Sequence, residues 1–281
     1  VHMTWGIAVL KAVAASDFEG SFRVFFQPAE EIAGGGKPMA ESGLVDDLDY
    51  LFAFHLGLGH PTGAVVANAT RPLAMAHINA TFEGASAHAG KNPSGGTNAM
   101  QAMTTAVQNA YGIPRHADGL TRINFGRVEG GSASNGIAEE VLLDGEVRGE
   151  TTALMEYMRT ELERELYAAA ELHQCDVVIE RTSESIRVDG DPTLAGTVAD
   201  VAHDRPSVRT VTEAAPLGAS EDATFLMQRV HERGGRAVYL LVGTDHPTAH
   251  HTPTFDVDER SLDIGVELLT ACVTAVAEDR P

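Results

Sequence analysis

The stretch SFRVFFQPAEE (residues 21–31) decides the fold and raises the question of function. Its short continuous apolar run follows Gly20 and predicts a buried strand over residues 21–27. Similar apolar runs alternate with helical patterns towards both ends of the chain, which predicts an α/β layer architecture. Glu30 and Glu31 stand side by side after this predicted strand, at the position where α/β sheets carry their active sites.

The middle of the chain follows a different pattern. Between residues 72 and 183 the periodicity predicts strand, helix, strand, strand, helix and strand. That order is the ferredoxin-like β-α-β-β-α-β unit, which forms a compact domain. The α/β pattern then returns, so we predict one α/β domain, residues 1–71 and 184–281, interrupted by an inserted domain over residues 72–183.

The composition excludes some classes of partner. The formal net charge is −20, from 40 acidic and 20 basic residues. Nucleic acid and anionic membrane surfaces repel such a chain, so we predict neither as a partner. An acidic, lysine-poor composition fits a protein solvated in high salt, as in a halophile, and fits an ordinary acidic cytosolic enzyme equally well.

Cysteine usage and hydropathy bear on the compartment. Cys175 and Cys272 lie far apart and do not form a disulfide framework, which favours a reducing compartment. No signal peptide or bilayer-spanning apolar stretch is visible in the sequence. We therefore predict a cytoplasmic protein.

Metal-binding residue types recur at predicted strand ends. Glu30 and Glu31 follow the first strand, and His55 ends the strand in YLFAFHLG. The segment GTDHPTAHHTPTF follows the last strand and contains His246, His250 and His251. Carboxylates and imidazoles on one rim predict a transition-metal site, with zinc as the first choice.

Neighbouring residues in an extended segment point to different sides. One glutamate of the pair can therefore bind a metal while the other takes a proton from activated water. Each signal also has a plainer interpretation: a solvated glutamate pair, a hydrogen-bonded buried histidine, or a histidine-rich surface loop.

Blocks of sequence distributed over the whole chain resemble a known family. In order, they are FFQPAEE…GGGKPMAESGLVDDLDYLFAFHLG, GASAHAGKNPSGGTNAM, GGSASNGIAEEVLLDGEVR, GASEDATFLM and HHTPTFDVDE. The ordered set resembles the metal-dependent amidohydrolases that include aminoacylases, hippurate hydrolases, indole-acetyl-amino-acid hydrolases and p-aminobenzoyl-glutamate hydrolase subunits. The last two blocks are most similar to the p-aminobenzoyl-glutamate branch.

The resemblance implies a fold and a catalytic centre. The expected fold is an α/β catalytic sheet with helices on both faces, which holds two divalent metals, zinc or manganese, and is interrupted by a ferredoxin-like lid that forms a homodimer. Glu30 resembles the family's general base. The residues that resemble metal ligands are Glu31, His55 and His251.

The lid region contains further residues that resemble functional positions. His88 of SAHAG resembles a histidine that reaches a partner subunit's site and polarises the scissile carbonyl. Asn135 and Arg148 resemble residues that bind the substrate carboxylate, a role for which an arginine fork is well suited. Without the resemblance, a surface ion pair of Arg148 and a surface hydrogen bond of His88 would be the plainer interpretations.

The chain departs from the family pattern at its start. The family carries a CGHD segment whose cysteine and histidine bind metal, and VHM at residues 1–3 resembles the tail of that segment. His2 resembles the histidine after the ligand pair and is not assigned as a ligand. We therefore expect an N-terminally incomplete chain, in which one metal or none is the alternative to two.

These observations lead to an amidohydrolase hypothesis. The expected reaction is cleavage of the amide bond of an N-acyl or N-aroyl amino acid, similar to p-aminobenzoyl-glutamate or hippurate, by metal-activated water. One alternative is an inactive fragment or non-catalytic subunit with a role in assembly or substrate binding. A metallopeptidase acting on dipeptides shares the same site and differs only in its leaving group.

Overall fold

The computed structural model describes residues 1–57, 59–245 and 252–278. The mixed α/β class predicted from the sequence is confirmed. Contacts divide the chain into two units, which are described separately. Unit 1 comprises Val1–Glu30, Gly35–Pro72 and Val188–Pro281, and unit 2 comprises Glu31–Gly34 and Leu73–Arg187.

The described elements are numbered here in chain order. The helices are α1 (His2–Ala14), α2 (Gly36–Glu41), α3 (Ala99–Tyr111), α4 (Thr152–Leu172), α5 (Pro192–His203), α6 (Thr224–Glu232) and α7 (Arg260–Glu278). The strands are β1 (Tyr50–Leu56), β2 (Ala64–Val66), β3 (Ala69–Thr70), β4 (Ala74–Glu83), β5 (Thr121–Gly130), β6 (Glu140–Gly149), β7 (Asp176–Ser185), β8 (Thr210–Thr212), β9 (Ala215–Pro216) and β10 (Arg236–Val242). Short 3₁₀ turns cover Glu30–Ile32 and Pro93–Gly95. In the described part of the chain, no helix combines the length and the apolarity that crossing a bilayer requires.

Unit 1 is built on a mixed sheet with the strand order β1-β10-β2-β8 in the described ranges. Strands β1 and β10 run parallel, β2 is antiparallel to β10, and β8 is parallel to β2. Strand β10 is buried on both faces because its alternate side chains enter different cores. Val238, Leu240 and Val242 join a core with residues of α1, α5 and α7, whereas Tyr239 and Leu241 join a core with residues of α6. Helices therefore cover both faces of this sheet.

The strand predicted over residues 21–27 is not formed. A strand needs a hydrogen-bonded neighbour, and the described residues provide no ladder partner for this segment. Two of its aromatic side chains still pack against different cores of unit 1, Phe22 against one and Phe25 against the other. The burial that the apolar pattern predicted is only partial, because residues 21–27 are half-buried or exposed.

Unit 2 follows the order β4-α3-β5-β6-α4-β7, and its sheet has the antiparallel order β5-β6-β4-β7. Helix α3 presents small residues to the core, which permits close packing against α4 and the sheet. These residues are Ala99, Ala102, Ala106 and Ala110. Both helices begin with a side-chain cap: Asn98 accepts a hydrogen bond from the Met100 amide, and Thr151 accepts one from the Leu154 amide.

Trp5 joins α1 to α7 within unit 1. The side chain is fully buried, and its indole N–H donates a hydrogen bond of 3.0 Å to the Leu262 carbonyl. Gly265 makes room for the ring, because a Cβ at this position would lie 2.2 Å from the Trp5 Cε2 atom. The α1–α7 contact therefore requires glycine at this position.

We expect Gly265→Ala to destabilise the protein by about 1–3 kcal/mol, because the added methyl group overpacks a rigid indole ring. The measurement is thermal unfolding, with a decrease in Tm of at least about 2 °C. The matched control is Gly196→Ala in α5, where a Cβ meets nothing within 4 Å. It should leave Tm unchanged or raise it because alanine has the higher helix propensity. Equal Tm values for the two variants would contradict the packing assignment.

Candidate functional site

Glu30 and Glu31 lie in a strained turn. They form the first part of the 3₁₀ turn Glu30–Ile32, which is exposed to solvent. Ala29 precedes the turn with φ of 54°, and Ala33 follows it with φ of 48°. Left-handed backbone at alanine costs about 1–2 kcal/mol per residue, and such strain is concentrated at functional sites.

Glu30 lies beside two buried acids. Oxygen atoms of Glu30, Glu221 and Asp222 all lie within 4.8 Å of one another. Glu221 is 6% exposed and Asp222 is 1% exposed. Helix α6 begins at Thr224 and leaves both acids in the preceding turn. The signal that could have found them is the adjacent acid pair directly before an apolar helix.

The Asp222 carboxylate accepts hydrogen bonds from both sides of the glutamate turn. Its Oδ1 atom accepts one from the Gln27 side-chain amide. Its Oδ2 atom accepts one from the Gly35 amide at 3.0 Å and one from the Gly36 amide at 2.8 Å. A buried carboxylate needs such donors, since burial without them is strongly unfavourable.

Glu221 is held by Tyr239 of β10. The Tyr239 hydroxyl donates to Glu221 Oε2 at 2.6 Å, and the Ala223 amide donates to Oε1 at 3.3 Å. Burial raises the pKa of Glu221, although the Tyr239 hydrogen bond opposes this shift. Burial also raises the pKa of Tyr239 above its ordinary value, so the hydroxyl keeps its proton and acts as the donor.

His55 of β1 shows an arrangement suited to metal binding. Its Nδ1 atom lies 2.8 Å from the Leu56 carbonyl oxygen, which can only accept, so Nδ1 carries the proton. In the neutral ring, Nε2 then has the lone pair that a metal requires. His2 packs against His55 with ring centroids 4.7 Å apart, and the Leu56 amide donates to His2 Nε2 at 3.1 Å.

Within unit 2, His88 and Asn135 lie on adjoining segments. His88 forms an isolated bridge with Gly136, and the Ala89 amide donates to the Asn135 carbonyl at 2.9 Å. His88 Nδ1 accepts hydrogen bonds from the amides of residues 90 and 91 at 3.1 and 3.2 Å. The proton of the neutral ring therefore sits on Nε2, which makes that atom a hydrogen-bond donor.

The Arg148 guanidinium forms a bidentate ion pair within β6. Its Nε and Nη2 atoms lie 2.7 and 3.0 Å from the two carboxylate oxygens of Glu146. His77 of β4 lies 3.2 Å from the same carboxylate. The His77 hydrogen bond, followed by that of Arg148, lowers the pKa of Glu146 to about 2. The ion pair that was the plainer interpretation of Arg148 is present.

The predicted ligand His251, together with His246 and His250, lies outside the described residues. Among the described site residues, the structure brings Glu30 next to Glu221 and Asp222, and it brings the segment of His88 next to that of Asn135. The roles predicted for the described site residues stay predictions: Glu30, Glu31, His55, His88, Asn135 and Arg148.

Comparison with known proteins identifies relatives along almost the whole chain. The model of peptidase family M20/M25/M40 matches residues 1–275. A Haemophilus influenzae protein, named as a homolog of a p-aminobenzoyl-glutamate hydrolase subunit, is 35% identical over 274 residues, which cover 97% of this chain and 65% of that protein. The chain thus spans somewhat less than two thirds of the length of this relative.

Solved structures show the same fold. The aminobenzoyl-glutamate utilization protein of Klebsiella pneumoniae superposes with a TM-score of 0.87 at 29% identity, over 96% of this chain and 66% of that one. A Bacillus subtilis protein described as a dinuclear metal binding peptidase superposes with a TM-score of 0.70 at 18% identity, over 99% of this chain and 72% of that one. The resemblance noted in the sequence is confirmed, and the chain belongs to peptidase family M20/M25/M40.

Proposed function

We propose that this chain is an amidohydrolase that cleaves the amide bond of an N-acyl or N-aroyl amino acid of the p-aminobenzoyl-glutamate or hippurate type. The observation that carries the proposal is the 35% identity, over 97% of the chain, to a relative named as a homolog of a p-aminobenzoyl-glutamate hydrolase subunit. The Glu30 turn supports it, because a strained, exposed glutamate beside buried acids is an arrangement suited to proton transfer.

In this proposal Glu30 is the general base and Glu31 is a metal ligand. Adjacent residues in one short turn can face different directions, so one segment supplies both groups. Glu30 takes a proton from the attacking water and delivers it to the leaving amine, as microscopic reversibility allows. The carboxyl groups of Glu221 and Asp222 lie beside Glu30, with oxygen atoms of all three within 4.8 Å of one another.

The metal ligands in the proposal are Glu31, His55 and His251. The donor set of carboxylate and imidazole fits zinc or manganese, and the proton on His55 Nδ1 presents Nε2 in the form that binds a metal. When bound, a divalent metal would lower the pKa of a water molecule and polarise the amide carbonyl. We propose that the site binds two metal ions, since the Bacillus subtilis protein is described as a dinuclear metal binding peptidase. The alternative for this chain is one ion or none.

Unit 2 has the role of a ferredoxin-like lid in the proposal, and the lid is also the proposed homodimer surface. His88 polarises the scissile carbonyl, a role that requires a donor and is supported by the proton on its Nε2 atom. Asn135 and Arg148 bind the carboxylate of the amino acid. Arginine forms two parallel hydrogen bonds to a carboxylate, as Arg148 already does with Glu146.

A second candidate function is a non-catalytic subunit that contributes assembly or substrate binding. The name of the Haemophilus influenzae relative refers to a hydrolase subunit, which implies that the enzyme contains a further chain. The two candidates differ in turnover. The test is hydrolysis of p-aminobenzoyl-glutamate and of hippurate by the purified chain, in low and high salt, with zinc or manganese added.

Turnover that a chelator abolishes is the expected result. Absence of turnover with both substrates and both metals would contradict catalysis by this chain and favour the subunit role.

We expect Glu30→Gln to lower kcat by about 100-fold or more, because the amide cannot accept the proton of water. Metal content, measured by elemental analysis, should stay unchanged since Glu30 is not a proposed ligand. The matched control is Glu41→Gln, an exposed glutamate at the end of α2. Unchanged kcat in Glu30→Gln would contradict its role as the base.

We expect His55→Ala to weaken zinc binding by at least about ten-fold, because a ligand nitrogen is lost. Competition with a chromophoric chelator measures the affinity without any need for turnover. His203→Ala, at the exposed end of α5, removes one imidazole from the surface of the same unit and should leave the affinity unchanged. Equal zinc affinity in both variants would remove His55 from the ligand set.

We expect Arg148→Lys to raise KM by about ten-fold with a smaller change in kcat, because lysine cannot form the bidentate contact. Arg181→Lys is the control, since Arg181 lies on β7 of the same sheet and makes a similar bidentate pair with Glu163 of α4. Steady-state kinetics with p-aminobenzoyl-glutamate measures both parameters. A KM that is equal in the two variants would exclude Arg148 from substrate binding.

A further inference from the structure

The buried Asp222 carboxylate connects the two ends of the segment that carries Glu30 and Glu31. We propose that Asp222 is a positioning residue that fixes this segment, residues 28–34, and thereby the location of the Glu30 carboxylate. The catalytic consequence rests on the proposed function of Glu30, whereas the structural part does not. Asp222 itself touches neither substrate nor reacting atoms in this proposal.

The hydrogen bonds of Asp222 are distributed over both ends of the segment. Gln27 lies just before it and donates its side-chain N–H to Oδ1. Gly35 and Gly36 lie just after it and donate their amides to Oδ2 at 3.0 and 2.8 Å. One carboxylate, 1% exposed, therefore closes the segment as a clamp. Hydrogen bonds to an ionised carboxylate are stronger than those between neutral groups.

The two ends also meet backbone to backbone. A Cβ added to Gly35 would lie 1.8 Å from the Pro28 carbonyl oxygen, so the chain after the turn touches the chain before it. A Cβ added to Gly36 would lie 2.0 Å from the Asp222 carbonyl oxygen. Both glycines are needed for this close approach, which brings two amides within reach of one carboxylate.

The segment that carries Glu30 and Glu31 is exposed and strained. Its 3₁₀ turn contains no buried residue, and Ile32 is 67% exposed. Ala29 and Ala33 keep left-handed backbone, which persists only where the surroundings enforce it. The hydrogen bonds of Asp222 lie at the base of this turn and are contacts of the kind that such backbone requires.

Asp222 is in turn fixed from the core of unit 1. Its neighbour Glu221 accepts the Tyr239 hydroxyl at 2.6 Å, and Tyr239 lies on the central strand β10. Thr224, at the start of α6, donates its hydroxyl to the Glu221 carbonyl at 2.6 Å. The support therefore runs from β10 through Glu221 to Asp222, and from there to the segment that carries Glu30.

Asp222→Ala removes every side-chain hydrogen bond of the clamp and is the first test variant. We expect faster hydrogen exchange in a peptide covering residues 28–41, because the Gly35 and Gly36 amides lose their acceptor. We also expect kcat to fall by about ten- to 100-fold while KM stays within about two-fold, because misplacement of a catalytic group by about 1 Å has that effect.

Two further variants separate positioning from general stability. Asp222→Asn keeps an oxygen for the glycine amides, and the Gln27 amide can turn to accept from the new N–H, so most of kcat and of the exchange protection should return. Gln27→Ala removes the bond at one end only and should give an intermediate loss. It also serves as the test if Asp222→Ala does not fold.

The matched control is Asp191→Ala. Asp191 accepts the Leu194 amide at 2.8 Å as the N-cap of α5 in the same unit, so its loss removes a comparable carboxylate-to-amide bond away from the turn. It should lower Tm and leave kcat and the exchange of residues 28–41 unchanged.

The outcomes are distinguishable. Unchanged exchange of residues 28–41 in Asp222→Ala and in Gln27→Ala would overturn the clamp. Faster exchange with unchanged kcat would overturn the positioning role. If the unsubstituted chain shows no turnover, the proposed function fails, and zinc affinity is measured instead of kcat. A clamp that positions Glu31 predicts zinc binding at least about ten-fold weaker in Asp222→Ala than in Asp191→Ala. Equal zinc affinities in the two variants would overturn the clamp.

Discussion

The two-sided burial of β10 is the constraint on which the rest of unit 1 depends. The strand pairs with β1 along its length and with β2 near its end, and its side chains enter both cores. A strand without a solvent face must be covered by helices on both sides, which explains why α1, α5 and α7 form one layer and α2 and α6 the other. Tyr239 of the same strand donates a hydrogen bond to Glu221, so a contact from the core holds one of the acids beside Glu30.

Burial of adjacent acids is unfavourable unless each finds its own partners. Glu221 has the Tyr239 hydroxyl and the Ala223 amide, whereas Asp222 has the Gln27 side chain and two glycine amides. The removal of one partner from a buried polar group costs about 1–3 kcal/mol, more for a charged one. The turn that contains both acids is therefore held firmly, and an exposed, strained segment such as residues 28–34 needs a firm base. The hydrogen bonds of Asp222 offset the cost of its burial. In our proposal, the same hydrogen bonds also hold the segment that carries Glu30 in place.

Local patterns predicted the regular elements well. The order of strand, helix, strand, strand, helix and strand expected over residues 72–183 is present as β4-α3-β5-β6-α4-β7, because each element has a clear periodicity. The strand expected over residues 21–27 failed because pairing depends on a neighbour that no local pattern reveals. The importance of Asp222 was missed for a similar reason, since Gln27 and Asp222 lie 195 positions apart. The positions of Glu30, Glu31 and His55 followed from residue types at predicted strand ends, whereas His88, Asn135 and Arg148 came from the family resemblance. The contacts around these residues are tertiary and required a structure.

Arg148 illustrates how an existing ion pair is compatible with a proposed binding role. Its fork is engaged by Glu146, so a substrate carboxylate can bind there only by replacing one carboxylate with another. Glu146 has a second partner in His77, whose hydrogen bond is the largest cause of its lowered pKa. If Arg148 turned to another anion, the half-buried Glu146 would therefore keep His77 as a hydrogen-bonding neighbour. In the proposed role, such an exchange would let Arg148, although already paired with Glu146, bind a negatively charged amino acid in a chain with a net charge of −20.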